Sequence, residues 1–151
     1  MDYTHPKRKT KVVFVQLGSP SEPTTKALRK YLRKFLGDPR VVDINPWLWK
    51  IILNCFVLPF RPRKSAKLYA RIWDGESFPL ITNTRDFTNN VSEELKKIDP
   101  KGYVEVNHAF LLSPPYVNEV YDSWEDDLKK GIGATKLLVI PMFPQYSEST
   151  I

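Results

Sequence analysis

The sequence predicts an α/β fold in which a doubly wound, parallel, four-stranded sheet is flanked by helices. Three runs rich in β-branched and aromatic residues, at residues 11–17, 103–110 and 136–141, have the length and composition of buried strands. Between them, apolar residues recur every three or four positions, which is the spacing of one helix face. Because parallel strands need crossover helices, this alternation indicates βαβ units.

The first predicted helix follows the first strand. Residues 23–25 (PTT) have the residue types of a helix start, and residues 37–39 (GDP) have those of a helix end. The apolar stripe between them consists of Leu28, Tyr31, Leu32, Phe35 and Leu36. The opposite face carries five Lys and Arg residues. We interpret it as a solvated surface rather than a nucleic-acid interface, so no nucleic-acid partner is expected.

Two further helices and the fourth strand complete the pattern. The fourth strand is expected at residues 40–44 (RVVDI). The second helix is marked by a stripe that ends before residues 99–102 (DPKG) and consists of Phe87, Val91, Leu95 and Ile98. The stripe of the third helix consists of Val117, Val120, Tyr121, Trp124 and Leu128.

Length and composition are those of one globular domain. The chain has 151 residues, 42% of them hydrophobic and 26% charged. We expect residues 1–10 to form a disordered basic tail and residues 11–151 to form the domain. The net charge of +6 favours an anionic partner. A single cysteine, Cys55, and an N-terminus without the apolar stretch of a signal peptide predict a cytoplasmic protein.

The longest apolar segment, WLWKIILNCFVLPF at residues 47–60, is too short to span a bilayer. It is followed by Arg61, Arg63 and Lys64, so two interpretations stay open. The segment is either a buried core helix or an apolar lip beside a basic cluster, which suits a flat apolar ligand with carboxylates or a membrane surface. Because Trp47 and Trp49 are two positions apart, they cannot share one helix face. This spacing favours the apolar lip, the name kept here for residues 47–60.

Other common site patterns are missing from the sequence. The turn after the first strand, LGSP, has one glycine and lacks the spacing of a phosphate-binding loop. The chain has no GxSxG elbow, and no carboxylate or cysteine follows His5 or His108 at metal-ligand spacing. No metal site is therefore expected.

The last strand is followed by residues 145–151, at the end of the sheet where α/β folds carry their ligand loops. A helix that would cover this strand is expected next and does not follow. The pattern therefore predicts an N-terminal half of a longer protein, or a sheet face that a partner subunit covers.

Four stretches of the chain, in this order, resemble the N-terminal half of the ferrochelatases, which are class II chelatases that insert Fe²⁺ into a porphyrin. They are FVQLGSP at 14–20, LRKYLRKFLGDPRVVD at 28–43, FRPRKSAKLYARIW at 60–73 and VIPMFPQYSEST at 139–150. The last of these is the most specific. The resemblance implies a chelatase-like half domain over residues 11–151.

The resemblance also implies which residues contact the porphyrin. Leu17 takes the place of a loop residue on the macrocycle face, Arg61 that of an arginine that holds propionates, and Tyr69 that of the tyrosine after it. A guanidinium suits this task because its planar fork pairs with a carboxylate through two hydrogen bonds. The final loop would wall the cleft with Gln145, Tyr146, Ser147, Ser149 and Thr150.

The chain departs from the family pattern at two places. The family's Gly-Gly-Ser-Pro-Leu turn is replaced by residues 76–80 (ESFPL), so Phe78 stands at the serine position, and Ser77, displaced by one, is the candidate porphyrin contact. Many members have an Arg-Tyr pair where this chain has Leu111 and Leu112, so no role is carried over there.

The resemblance implies a parent protein that is a ferrochelatase, a lyase of haem and porphyrin biosynthesis acting on Fe²⁺ and protoporphyrin IX or coproporphyrin III. The catalytic histidine and its acidic partner belong to the second half of the family's chain. This chain is therefore expected to contain no catalytic residue, metal site or cofactor, and to be inactive alone.

Three partners are expected: the porphyrin, a membrane surface at the apolar lip, and the missing C-terminal half or a partner subunit. One alternative stays open, a non-catalytic porphyrin- or anion-binding α/β module that is complete as given.

Overall fold

The structure is a computed structural model that describes residues 9–143. Its elements, in chain order, are β1 (Thr10–Gln16), α1 (Thr25–Leu36), α2 (Pro46–Ile52), a π-helical turn (Leu53–Val57), α3 (Leu58–Tyr69), α4 (Pro79–Ile98), β2 (Val104–Phe110), α5 (Val117–Lys129) and β3 (Lys136–Pro141). The three helices predicted from apolar stripes correspond to α1, α4 and α5. The three strands at the ends of the predicted βαβ units are also confirmed.

The three strands form one parallel sheet in the order β2-β1-β3. In β1, Thr10 is aligned with Val104 of β2 and with Lys136 of β3, and both ladders run in parallel from there. The predicted parallel α/β architecture is therefore confirmed, with β1 as the central strand.

The predicted fourth strand is wrong, because residues 40–44 form turns and irregular backbone, and within residues 9–143 the sheet has three strands. Local hydrogen bonds explain the difference. The Asp38 carboxylate accepts bonds from the backbone N–H of Arg40, at 2.9 Å, and from its guanidinium. The Val41 N–H donates to the Asp38 carbonyl at 3.0 Å. Asp and Asn often stabilise turns in this way, and the backbone groups used here cannot join a sheet ladder.

At the central strand β1, helices pack on both faces of the sheet, because successive residues of a strand point to opposite sides. On one side the Phe14 ring meets Phe87 of α4 edge to face, with centroids 5.1 Å apart. On the other side, Val13 and Val15 form a buried cluster with Ala109, and α5 packs on this cluster through Val117 and Val120. Helices on both faces make the arrangement doubly wound.

The chain divides into two compact units. The sheet unit holds the strands, with residues up to Gln16 and Asn83–Met142, and the helical unit is centred on Leu17–Thr82. Charge is divided unevenly between them. Residues 17–82 contain twelve Lys and Arg against five Asp and Glu, a balance of +7 that exceeds the net charge of the whole chain.

In the helical unit, two side chains connect α1 to the helices that follow. The Trp49 indole N–H of α2 donates to the Leu36 carbonyl at 2.7 Å. Pro62 lies inside α3 and has no N–H to give to the Leu58 carbonyl one turn earlier. The Arg29 guanidinium of α1 supplies that bond, at 3.2 Å from Nε to the carbonyl oxygen. Because of Pro62, the Leu58 carbonyl can accept the hydrogen bond that links α1 to α3.

Candidate functional site

Four of the predicted porphyrin-contact residues lie in the helical unit: Leu17, Arg61, Tyr69 and Ser77. The other five follow β3 in the sequence and lie outside the described residues: Gln145, Tyr146, Ser147, Ser149 and Thr150.

The loop after β1 positions the first of these residues. Leu17 is half-buried, and Gly18 after it has a φ of +92°, a left-handed conformation that glycine adopts without a steric penalty. Ser19 and Pro20 are buried, so the loop is packed against the rest of the unit. The Tyr31 hydroxyl of α1 donates to the Gly18 carbonyl at 3.3 Å. A side chain of the first helix thus fixes the loop beside Leu17.

The same tyrosine also contacts a second predicted site residue. The rings of Tyr31 and Tyr69 lie 6.5 Å apart at 59°. Burial raises the pKa of Tyr31 well above its usual range. Burial also raises the pKa of Tyr69, while a hydrogen bond with Tyr31 and the positive charge of Arg61 partly oppose this shift. Tyr31 therefore connects the Leu17 loop with Tyr69. The sequence hints at this role only because Tyr31 places one hydroxyl in an otherwise apolar helix stripe.

Phe78 stands at the position where the resemblance implies a serine. Its side chain is only 2% exposed. Its ring meets Tyr69 edge to face at 5.4 Å and Trp73 at 4.6 Å. Such aromatic pairs contribute about 0.5–1.5 kcal/mol each beyond the burial of their area. Phe78 is therefore a packing residue, and its ring supports the ring of Tyr69.

Ser77, the displaced serine, lies in a turn that Asp74 organises. The Asp74 carboxylate accepts bonds from the backbone N–H of Ser77 at 2.6 Å and of Glu76 at 2.8 Å. The Ser77 side chain is half-buried, next in the chain to the packed Phe78. This turn fixes the backbone of Ser77 beside the cluster that contains Tyr69.

Arg61 lies on the exposed side of α3. The buried side of this helix presents Leu58, Pro62 and Ala66 at four-residue spacing, which leaves Arg61 in solvent. Among residues 9–143, no carboxylate forms an ion pair with Arg61. Its guanidinium can therefore pair with a carboxylate brought by a ligand.

The apolar lip is exposed over most of its length. The Trp47 side chain is 79% exposed, and Leu48, Ile51, Phe56 and Phe60 are exposed as well. Trp49 is half-buried and hydrogen-bonded to α1, so the two tryptophans point in different directions, as their spacing predicts. The lip is thus a surface feature rather than a buried core helix.

The lip also lies within a stretch of the chain whose charged residues are all positive. Residues 44–73 contain six Lys and Arg residues and no Asp or Glu. No helix in the described part of the chain is long and apolar enough to cross a bilayer. Exposed apolar side chains beside unbalanced positive charge can bind either an anionic apolar ligand or an anionic interface.

In the sheet unit, His108 lies in β2 and is half-buried, with its ring 5.5 Å from that of Phe110. Burial lowers the pKa of His108, and the positive charge of Arg85 adds to the shift. Both effects favour the neutral form of the His108 side chain. Leu111 and Leu112 follow β2, at the place where the resemblance implies an Arg-Tyr pair in many family members.

The buried tyrosines predict a loss of stability in alkali. An unfolded tyrosine ionises near pH 10, whereas Tyr31 keeps its proton when folded, so the unfolded state binds fewer protons above that pH. We expect the free energy of unfolding to fall above pH 10 by up to about 1.4 kcal/mol per pH unit for this group. Denaturant titrations of the wild type and Tyr31→Phe at successive pH values would measure it. If the free energy of unfolding fell equally steeply with pH in the two proteins, the prediction would be contradicted. Tyr121→Phe, on the exposed face of α5, is the control.

Comparison with known proteins agrees with the resemblance. The family model for ferrochelatase matches residues 9–151. The ferrochelatase of Idiomarina loihiensis is 40% identical over 139 residues, which cover 92% of this chain and 36% of the relative. The ferrochelatase of Teredinibacter turnerae is 42% identical over 143 residues, covering 94% and 37%. That of Herminiimonas arsenicoxydans is 42% identical over 150 residues, covering 98% and 39%.

This chain therefore spans less than two-fifths of the length of each of these relatives. The match includes every described element, from β1 to β3, and all four described site residues. The chain belongs to the ferrochelatase family, and its parallel α/β architecture is the corresponding part of the chelatase fold.

Proposed function

We propose that this chain forms one wall of the porphyrin cleft in a ferrochelatase, a lyase of haem biosynthesis that inserts Fe²⁺ into a porphyrin. The observation that carries the proposal is the family match across residues 9–151. The porphyrin has propionate side chains, as protoporphyrin IX and coproporphyrin III both do. The protein would be cytoplasmic.

We assign the site residues as follows. Leu17 would lie against the macrocycle face, on a loop that Tyr31 holds. Arg61, exposed and without an ion pair in the described part of the chain, would bind a propionate. Tyr69, supported by Phe78, and Ser77 would line the cleft nearby. The loop of residues 145–150 would complete the wall.

The mechanism that we propose is geometric and acid–base. Contacts along the edge and face of the macrocycle provide binding energy, and part of that energy bends the ring so that a pyrrole lone pair tilts out of plane. Fe²⁺, the second substrate, then enters as the pyrrole nitrogens lose their protons. We assign the proton acceptor to the histidine motif of the family's second half, so this chain would bind and orient the porphyrin.

Replacing Arg61 tests the binding role. We expect Arg61→Ala to weaken porphyrin binding about tenfold, since a charge-assisted hydrogen bond contributes roughly 1.5–3 kcal/mol before solvent exposure reduces it. Arg61→Lys should recover only part of this loss, because an ammonium cannot pair with a carboxylate as a fork. Quenching of tryptophan fluorescence by added porphyrin would give the affinities.

The matched control is Arg85→Ala on α4, which removes an exposed arginine that the resemblance does not place in the cleft. We expect Arg85→Ala to bind porphyrin with the affinity of the wild type. If Arg61→Ala also binds porphyrin with that affinity, the assignment of Arg61 is wrong.

We also propose that the apolar lip contacts the surface of an anionic membrane. Its exposed aromatic side chains and the surplus of positive charge around it support this proposal. Trp47→Ser should weaken binding to phosphatidylglycerol vesicles about tenfold, because the indole loses the apolar area that it would bury at the interface.

Vesicle co-sedimentation would measure this effect. Ile98→Ser is the control, since Ile98 is 80% exposed at the end of α4 and lies outside the lip. Equal losses for the two variants would show that the lip has no special part in the contact. Trp49 is left intact because its indole bonds to α1.

A further inference from the structure

A groove lies on the helical unit, between the end of α1, the loop that follows, and α2 with its π-helical turn. Its volume is about 690 Å³, within the usual range of small-molecule sites. Its apolar lining includes Ile44, Pro46, Trp49 and Leu53. The hydrogen bond from Trp49 to the Leu36 carbonyl holds α2 against α1 at this place. The groove is thus a formed feature of the unit.

Two cations line the same groove, Arg33 from the last turn of α1 and Lys50 from the last turn of α2. No acidic residue lines it, and within residues 9–143 neither cation forms an ion pair with a carboxylate. The remaining polar side chain, Asn54, donates to the Lys50 carbonyl at 2.7 Å and leaves its own oxygen as an acceptor. The groove therefore combines an apolar bed with positive charge that has no internal partner.

This groove is separate from the four proposed porphyrin contacts that lie within residues 9–143. None of Leu17, Arg61, Tyr69 or Ser77 lines it. On α2, the Trp47 side chain is 79% exposed, whereas Trp49 lines the groove. One short helix thus presents one tryptophan to solvent and another to the groove.

From this combination we propose that the groove binds a single anionic lipid molecule. Its acyl chain would lie along Ile44, Trp49 and Leu53, and its phosphate would pair with Arg33 and Lys50. An apolar body with one negatively charged end matches a site whose walls are apolar and whose charged side chains are all positive. The proposal goes beyond the porphyrin site and does not depend on it.

The direct test is calorimetric titration of the 151-residue chain with short-chain lysophosphatidylglycerol kept below its critical micelle concentration. We expect saturable binding with one site per chain. Lysophosphatidylcholine, whose headgroup has no net charge, should bind at least tenfold more weakly. Inorganic phosphate alone should give no measurable heat.

Variants locate the site. Arg33→Gln with Lys50→Gln should weaken lysophosphatidylglycerol binding at least tenfold, whereas Lys26→Gln with Lys30→Gln, which removes two cations of α1 outside the groove, should not change it. Ile44→Trp should block the groove, and Ile72→Trp, at another exposed isoleucine, should not. Trp47→Ser should leave monomeric lipid binding intact even where it weakens vesicle binding. Far-ultraviolet circular dichroism would verify that each variant is folded.

Several outcomes would overturn the proposal. Equal affinity for the two lysolipids would remove the role of the two cations, and so would an unchanged affinity in the Arg33 and Lys50 double variant. Binding of inorganic phosphate with the same affinity would reduce the groove to an anion site. Competition by mesoporphyrin at one-to-one stoichiometry would make the groove part of the porphyrin site.

Discussion

Phe78→Ala is expected to lower the free energy of unfolding by about 3–5 kcal/mol, the range found when a buried phenylalanine is truncated. The ring is almost wholly buried and loses edge-to-face contacts with both Tyr69 and Trp73. Single domains are stable by only about 5–15 kcal/mol, so this loss is a large part of the total. Phe78→Ser, which restores the family's residue type, should be at least as destabilising because it also places a hydroxyl in the vacated space.

Denaturant unfolding would measure these changes, with Phe60→Ala as the matched control. Phe60 is 67% exposed in the apolar lip, so its truncation should change the free energy of unfolding little. A Phe78→Ser protein as stable as the wild type would show that the family's turn and this chain's turn are interchangeable. The packing role assigned to Phe78 would then be wrong.

This packing role was not predictable from the sequence, although much of the fold was. β1, β2 and β3 are marked by apolar runs, and α1, α4 and α5 by stripes at helical spacing, because burial on one face leaves a periodic pattern. The contacts of Phe78 join residues of α3 and of the loop after it, and no periodicity records which aromatic rings meet in three dimensions.

The predicted fourth strand failed for a related reason. The run RVVDI at residues 40–44 has strand-like composition. The backbone N–H groups of Arg40 and Val41, however, donate to Asp38 within a local turn. A strand also needs a neighbour, and composition alone does not supply one. Side-chain capping of this kind acts over two residues and overrides a weak preference for extended backbone.

The candidate site was predictable mainly through the resemblance. Arg61 and Tyr69 belong to a stretch similar to the family, and they lie on one helix whose buried side leaves Arg61 exposed. Tyr31 was assigned only to an apolar stripe. Its hydroxyl donates a hydrogen bond to the Gly18 carbonyl, thirteen residues earlier in the chain. This bond depends on how α1 packs against the loop, which the spacing of apolar residues does not show.

A second large effect is expected in catalysis: the 151-residue chain alone should insert Fe²⁺ into porphyrin no faster than the uncatalysed background. Proton transfer needs an acceptor within about 2.6–3.2 Å of the proton's donor, directly or through one water. His108 is packed against Phe110 in the sheet unit, and half of a cleft cannot grip both faces of a macrocycle. Weak quenching of tryptophan fluorescence by porphyrin should still be seen.

The control is His108→Ala, which should leave the background rate unchanged. Measurable insertion by the wild-type chain that is lost in His108→Ala would place the proton acceptor in this part of the protein. It would also contradict the division of labour that we propose.

A chimera tests the central claim most directly. In it, the part of this chain that is 40% identical over 139 residues to the Idiomarina loihiensis ferrochelatase replaces the matched segment of that protein. If this chain is one wall of a ferrochelatase cleft, the chimera should insert Fe²⁺ into porphyrin well above background, and Arg61→Ala within it should raise the porphyrin KM. A chimera that unfolds cooperatively and yet neither binds porphyrin nor inserts Fe²⁺ would contradict the claim.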